Sequence, residues 1–320
     1  MDKQYAPIIL FTYCRPDHTK QVVDALLKNK EASESDLFIY SDAPKNEKAA
    51  SGVAATRAYI RNIIGFKSIS ICEREKNWGL ANSLIDGITT VINKYGRAII
   101  VEDDIVTSPY FLKYMNDALE KFKDEPRVCA IQGYMLDLKE KNALDDVFLV
   151  KWVGCWGWAT WKENWDAINL DAEYLYNQIR ILKKERDFDI DDSRRFTAML
   201  KAQVDGEIDS WAIRWYASNF LLNRFCLHPS QSLVKQIGND GNGGTHSHKE
   251  IHIYDTELRM DPIDIESFDI DICENLLARK AIHDRNIRNW SLIDHFRWLL
   301  HICYIDRLFV GKLKRQSLYR

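Results

Sequence analysis

The chain contains no CxxC pair; its 7 cysteines (positions 14, 72, 129, 155, 226, 273 and 303) are odd in number and scattered. That pattern argues against both a disulfide framework and a zinc site, and it fits a reducing cytoplasm. Long hydrophobic runs are missing too. No stretch approaches the roughly 18 apolar residues of a membrane span, and the passage from Met1-Asp-Lys into Pro7-Ile-Ile-Leu-Phe-Thr12 is too short and wrongly flanked for a signal peptide. Neither sign of charge dominates: the net charge is −3, with no basic-aromatic pattern, so nucleic acid is not the expected partner. The first strand signal ends in Thr12-Tyr-Cys-Arg15-Pro, not in GxGxxG or GxxxxGKS. The phosphate cradles of dehydrogenases and P-loop ATPases are therefore absent.

What is present is enough apolar material, 46% of 320 residues, for a sizeable core. Pro7 to Thr12 reads as a strand, and Pro16 opens a helix with Val22, Val23, Leu26 and Leu27 at helical spacing. Leu37 to Tyr40 reads as a second strand, Lys48 to Ile64 as a helix, and Ser68 to Cys72 as a third strand. Leu80 to Asn93 follows as an amphipathic helix, before a strand over Ala98-Ile-Ile-Val101. This β-α-β-α-β-α-β order predicts a doubly wound, mostly parallel sheet flanked by helices.

The fourth strand signal runs directly into Glu102-Asp103-Asp104. Its apolar residues leave no polar face, as expected for a strand covered on both sides, and the C-terminal ends of such strands are where open α/β sheets bind ligands. Three adjacent acids repel one another unless something positive sits among them, and a hard divalent cation serves. A solvated acidic turn or a cap before Ser108-Pro109 is the structural alternative. With Arg15 and Asp42 at neighbouring strand ends, the pattern suits a nucleotide whose diphosphate is neutralised by metal.

In their order, these features resemble the GT-A glycosyltransferases, and within them the N-acetylglucosaminyltransferase I-like group. Three further stretches share the resemblance. Gly157-Trp158, within Trp152 to Trp161 and followed by Trp165, is similar to that group's Gly-Trp segment; Ile208-Asp-Ser-Trp211 to its Asp-Asp-Trp motif; and Gly243-Gly-Thr-His246-Ser to the Gly-Val-Ser-His-Gly segment of its donor-ordered loop. The likeness spans residues 7 to 248, through motifs that are each short. It implies Asp104 as the direct ligand of Mn2+ or Mg2+, Glu102 and Asp103 holding ribose or donor sugar, and Asp42 and Arg15 at the nucleobase end. It also implies an inverting transfer from a nucleotide sugar, UDP-linked in this group, to a glycan or lipid-linked acceptor.

Inversion needs a base, and where the resembled motif has its second Asp this chain has Ser210. Asp209 is the first candidate and Glu207 the second; both precede a helix predicted from Trp211 to Asn223, and the alternative for Asp209 is that it caps that helix. Of the clustered tryptophans, Trp158 is expected at the sugar, through its π face, and the others in the core. Gly238 to Gly244 reads as a lid that closes over bound nucleotide, with His246, and less so His248, reaching diphosphate or metal.

The domain reading is a catalytic unit over residues 1–255 and a helical extension over 256–320. Within the extension, Trp290 to Cys303 is amphipathic with basic neighbours. It reads either as an interfacial helix at the cytoplasmic face of a bacterial membrane or as a helix packed on the catalytic domain or on a dimer partner. Two other functions stay open on sequence: a sugar-1-phosphate nucleotidyltransferase, and a non-catalytic carbohydrate-binding protein.

Overall fold

The computed structural model describes residues 4–240 and 254–288. Its first half alternates as expected: β1 (Ile8–Thr12), α1 (Pro16–Leu26), β2 (Asp36–Ser41), α2 (Glu47–Ile60), β3 (Ser68–Glu73), α3 (Leu80–Tyr95) and β4 (Arg97–Glu102). Then come β5 (Ile105–Thr107), α4 (Phe111–Lys121), β6 (Val128–Gln132), β7 (Val147–Val150), β8 (Trp158–Trp161), α5 (Lys162–Asp166), α6 (Ala172–Ile181), α7 (Glu185–Phe188), α8 (Phe196–Val204) and α9 (Trp211–Leu221). The described chain finishes with β9 (Phe225–Pro229), β10 (Val234–Gln236) and α10 (Leu276–Ile287).

Eight strands form one sheet in the order β3-β2-β1-β4-β8-β6-β9-β7, while β10 and β5 make a separate ribbon. The strands β3, β2, β1 and β4 are mutually parallel, as are β6 and β9; β8 and β7 run antiparallel to their neighbours. This is the α/β class expected from the sequence, a mostly parallel sheet flanked by helices, and its layout is consistent with a GT-A arrangement. β4 lies at the centre, parallel to β1 on one side and antiparallel to β8 on the other, so it is not parallel on both edges.

The sheet is covered on both faces because its central strands carry apolar residues on both sides. Every residue of β1 is buried, with Ile8 and Leu10 in one apolar cluster and Ile9 and Phe11 in the other, as the two-residue period of a strand requires. Ala98 to Val101 of β4 divide in the same way. Pro16 sits in the first turn of α1, where its missing N–H costs nothing. Of the segment expected as a C-terminal extension, the part up to Arg288 contributes Ile263, Ile265, Ala278, Ala281 and Ile282 to the same cluster as Ile8 and Val101. The interfacial or dimer helix expected at Trp290 to Cys303 lies outside the described residues. Among the described residues, no helix is long and apolar enough to cross a membrane.

His228, on β9, is fully buried and stacks between Phe148 and Trp152, its Nε2 bonded to the Trp152 carbonyl at 2.9 Å. Burial pushes its pKa down to about 4, so the ring stays neutral in the folded state while the unfolded chain takes up a proton near pH 6.5. Its contribution is complete above that pH and falls away as pH drops toward the folded value. Relative to His228→Gln, which keeps a donor for the carbonyl, the wild-type protein should lose about 3 kcal/mol more stability between pH 7 and pH 4 in urea unfolding. Parallel pH dependences in the two proteins would contradict this.

Candidate functional site

Strand register brings the candidate residues to one edge. Phe11 of β1 pairs with Glu102 of β4 and Thr12 with Ser41 of β2, so Tyr13, Asp42 and Asp103 all emerge together at the C-terminal ends of three parallel strands. The chain turns at Asp103 and Asp104 and re-enters as β5. Because β5 pairs with β10, Gln236 lies opposite Ile105, and the Ile237 N–H donates to the Asp104 carbonyl at 2.9 Å. The segment Gln236–Asp240 is thereby laid over the acidic turn.

All three carboxylates are half-buried. Asp103 Oδ2 accepts from the Tyr13 N–H at 3.0 Å. Asp104 Oδ2 lies 3.6 Å from Arg15 Nη1 and accepts from Gln236 Nε2 at 3.3 Å. Burial first, then the Asp104 charge, pushes Asp103 up to about 7, against the opposing pull of the Tyr13 N–H and Arg15. Burial and both neighbouring acids hold Glu102 well above the usual carboxylate range. The cluster reaches further: burial, Glu102 and Asp104 raise the Cys155 thiol, and burial and Asp103 raise Cys14.

Two details suit this turn to a hard cation. Gln236 Oε1 is buried without a hydrogen-bond partner among the described residues, beside an amide nitrogen already on Asp104; turning the amide over would present that oxygen to the same space. A Cβ on Gly238 would meet Asp104 Oδ2 at 2.2 Å and Arg15 Nη1 at 2.7 Å, so the glycine keeps open the space between carboxylate and guanidinium. Among the described residues, no group of three or more His, Cys, Asp or Glu side chains converges as a metal site. A cation at Asp104 would have to complete its shell with ligand oxygens and water, which Mg2+ and Mn2+ accept.

The other expected residues are distributed differently. Asp42 is buried, and its carboxylate accepts from the Trp78 N–H at 2.9 Å, the Gly79 N–H at 2.9 Å, Asn77 Nδ2 at 3.0 Å and the Ala43 N–H at 2.9 Å. It fixes the loop that starts α3. Arg15, expected at the nucleobase end, is placed at the acids. Trp158, expected at the sugar, is fully buried, with Trp165, Trp211 and Trp215 around it at ring separations of 5.2 to 6.3 Å. It cannot stack on a ligand, because β8 lies inside the sheet between β4 and β6 and the face on which its indole stands is covered by Trp165 of α5 and by Trp211 and Trp215 of α9. Gly157 before it has φ +60°, and a Cβ there would meet Val234 Cγ1 at 2.8 Å, so that glycine serves packing.

Asp209 is exposed and paired with Arg214 at 3.1 Å; Glu207 is exposed as well. The cap of α9 is Ser210, whose hydroxyl accepts from the Ile213 N–H at 3.4 Å, so Asp209 is left out of that role. Trp211 stacks on Trp158 at 5.6 Å, and Trp158 pairs with Ile100, which sets the start of α9 at the same edge of the sheet as Glu102. His246 and His248 lie outside the described residues, as do residues 241–244 of the expected lid.

Sequence reading passed over Gln236 and Trp78, and took Gly238 only as the start of a lid. The run Asn77-Trp-Gly79 between a strand and a helix signal was the available clue for Trp78, an exposed indole with Arg74 stacked 4.0 Å over it. Nothing in the local sequence pairs Gln236 with Asp104, since 132 residues separate them.

No family model and no curated protein matches the sequence. Among solved structures, the chain shows a likeness to the mannosyltransferase PcManGT from Pyrobaculum calidifontis in complex with GDP-Man and Mn2+, at TM-score 0.35 and 13% identity. That likeness covers 51% of this chain and 46% of the other, less than half its length. At that similarity it bears on neither fold nor activity.

Asp42→Asn replaces an acceptor of several N–H groups with an amide that turns one donor toward them. It should lower stability by about 1–3 kcal/mol, the cost of leaving buried donors unsatisfied, read as a shift of the urea midpoint. An unchanged midpoint would remove Asp42 from its anchoring role.

Proposed function

We propose that the protein is a metal-dependent, inverting glycosyltransferase of GT-A type, moving a sugar from a nucleotide diphosphate sugar, UDP-linked, to a glycan or glycolipid acceptor. The observation that carries the reading is the position of Asp104. Its carboxylate stands at the C-terminal end of the central strand, where β1, β4 and the segment after β10 converge and Arg15 supplies positive charge. The class of donor and the uridine nucleotide come from the sequence resemblance.

In this reading Asp104 would hold Mn2+ or Mg2+, and the Gln236 amide, which already touches that carboxylate, could turn its oxygen to the same ion. When bound, the metal supplies Lewis-acid stabilisation of the charge that develops on the departing diphosphate. Arg15 shares that task through its forked donors, which match phosphate oxygens. Asp103 and Glu102, crowded and partly desolvated, hold hydroxyls of ribose or donor sugar. The loop pinned by Asp42 forms the nucleobase end.

Asp209 accepts the proton of the acceptor hydroxyl as its oxygen attacks the anomeric carbon; the bond from that carbon to the nucleoside diphosphate breaks, and its electron pair leaves with the phosphate. The ion pair with Arg214 at 3.1 Å, which holds the exposed Asp209 carboxylate at the start of α9, supports this assignment. Glu207, two residues earlier and also exposed, is the second candidate for the base.

Calorimetry of UDP and GDP with the full chain should show binding that requires Mn2+ and is lost in Asp104→Ala. In a donor-turnover assay, Asp209→Asn should lower kcat by about 10²–10⁴, the range for a general base, with little change in donor affinity. Equal loss in Glu207→Gln alone would move the base to that residue. Full activity in both variants, or nucleotide binding indifferent to metal, would end the reading.

A further inference from the structure

Arg15 stands in an unexpected place, and its contact with Asp104 is loose. The guanidinium and carboxylate approach to 3.6 Å, whereas a forked Arg–carboxylate pair closes to hydrogen-bond distance. The same molecule shows the tight form, in which Arg259 grips Asp146 at 2.6 and 2.7 Å. Both partners of the loose pair are about one-fifth exposed, at 20% and 23%. The backbone beneath Arg15 is nevertheless fixed, its carbonyl accepting from the Thr19 N–H at 3.0 Å and the Thr19 hydroxyl at 2.9 Å. Gly238 withholds a side chain from the junction of the two groups.

We propose that Arg15 is an exchangeable counterion: it neutralises Asp104 while no nucleotide is bound and passes to the diphosphate of the incoming donor, releasing Asp104 to the cation. The inference rests on the transferase reading and adds to it a specific task for one residue. A divalent ion on Asp104 would face the guanidinium at a few ångströms, where like charges repel strongly in a partly desolvated site. A diphosphate offers the same fork a better acceptor and removes that repulsion. Cation and nucleotide therefore help each other bind, and Arg15 is the means by which they do. Its role is positioning, through charge, as well as contact with the donor.

Two titrations test this on the full chain. Mn2+ alone is titrated by electron paramagnetic resonance of the free ion, and UDP or GDP is titrated calorimetrically in saturating Mn2+. In Arg15→Gln, Mn2+ alone should bind up to about fivefold tighter, the size of one screened ion pair removed, while nucleotide binding should weaken by about tenfold or more as a charge-assisted contact is lost. Arg15→Lys, which keeps the charge without the fork, should leave Mn2+ affinity near wild type and nucleotide binding weakened several-fold. If circular dichroism shows Arg15→Gln unfolded, the lysine variant decides, and wild-type nucleotide affinity there overturns the proposal. So does unchanged or weaker Mn2+ binding in Arg15→Gln. A wild-type protein that binds neither Mn2+ nor nucleotide would instead sink the transferase reading itself.

Discussion

The mutual repulsion of Glu102, Asp103 and Asp104 at the end of the central strand is the constraint to which the surrounding structure responds. Neither strand nor turn can separate three consecutive residues, so the fold surrounds them with donors. The Tyr13 N–H serves Asp103, Arg15 and Gln236 serve Asp104, and the Ile237 N–H pins the turn's backbone. The compensation is incomplete, because Asp103 rises to about 7 and Glu102 lies above its normal range. A carboxylate whose folded pKa is raised contributes less stability as pH rises through the window between its unfolded and folded values, here from about 4 toward 7 for Asp103. A cation at the turn would offset that loss.

Around this acidic turn the framework is closely packed. The indoles of Trp158, Trp165, Trp211 and Trp215 lock β8, α5 and α9 together on one face of the sheet. Asp42 ties the end of β2 to the start of α3. The ribbon of β5 and β10, outside the main sheet, carries the segment that lies over Asp104. Aromatic mass and buried charge therefore serve mainly to hold the edge of the sheet in shape, and the polar groups that face a ligand are few, as small-molecule sites require.

Much of the architecture could be read from the sequence because its first half is locally consistent. The apolar runs of β1, β2 and β4 and the helical spacing in α1 and α3 each agree with the final fold, and their bounds fall within a few residues of expectation. The acidic turn was equally legible, since strand end and charge are both local. What was not legible depended on contacts distant in sequence. Trp158 looks like a stacking residue until β4 and β6 are seen to flank its strand. Arg15 can be assigned to either end of a nucleotide until β1 is placed beside β4. Gly238 reads as flexible by composition, although its smallness is needed for the approach of Asp104 and Arg15.

The central claim is that Asp104 and a nucleoside diphosphate share one cation. The most direct measurement is a crystal structure of the full chain grown with UDP and Mn2+, with the metal located by its anomalous scattering. The expected result is a manganese ion at about 2.0–2.2 Å from an Asp104 oxygen, with diphosphate oxygens completing its shell. A nucleotide seated at this edge without metal, or a metal bound away from Asp104, would contradict the account.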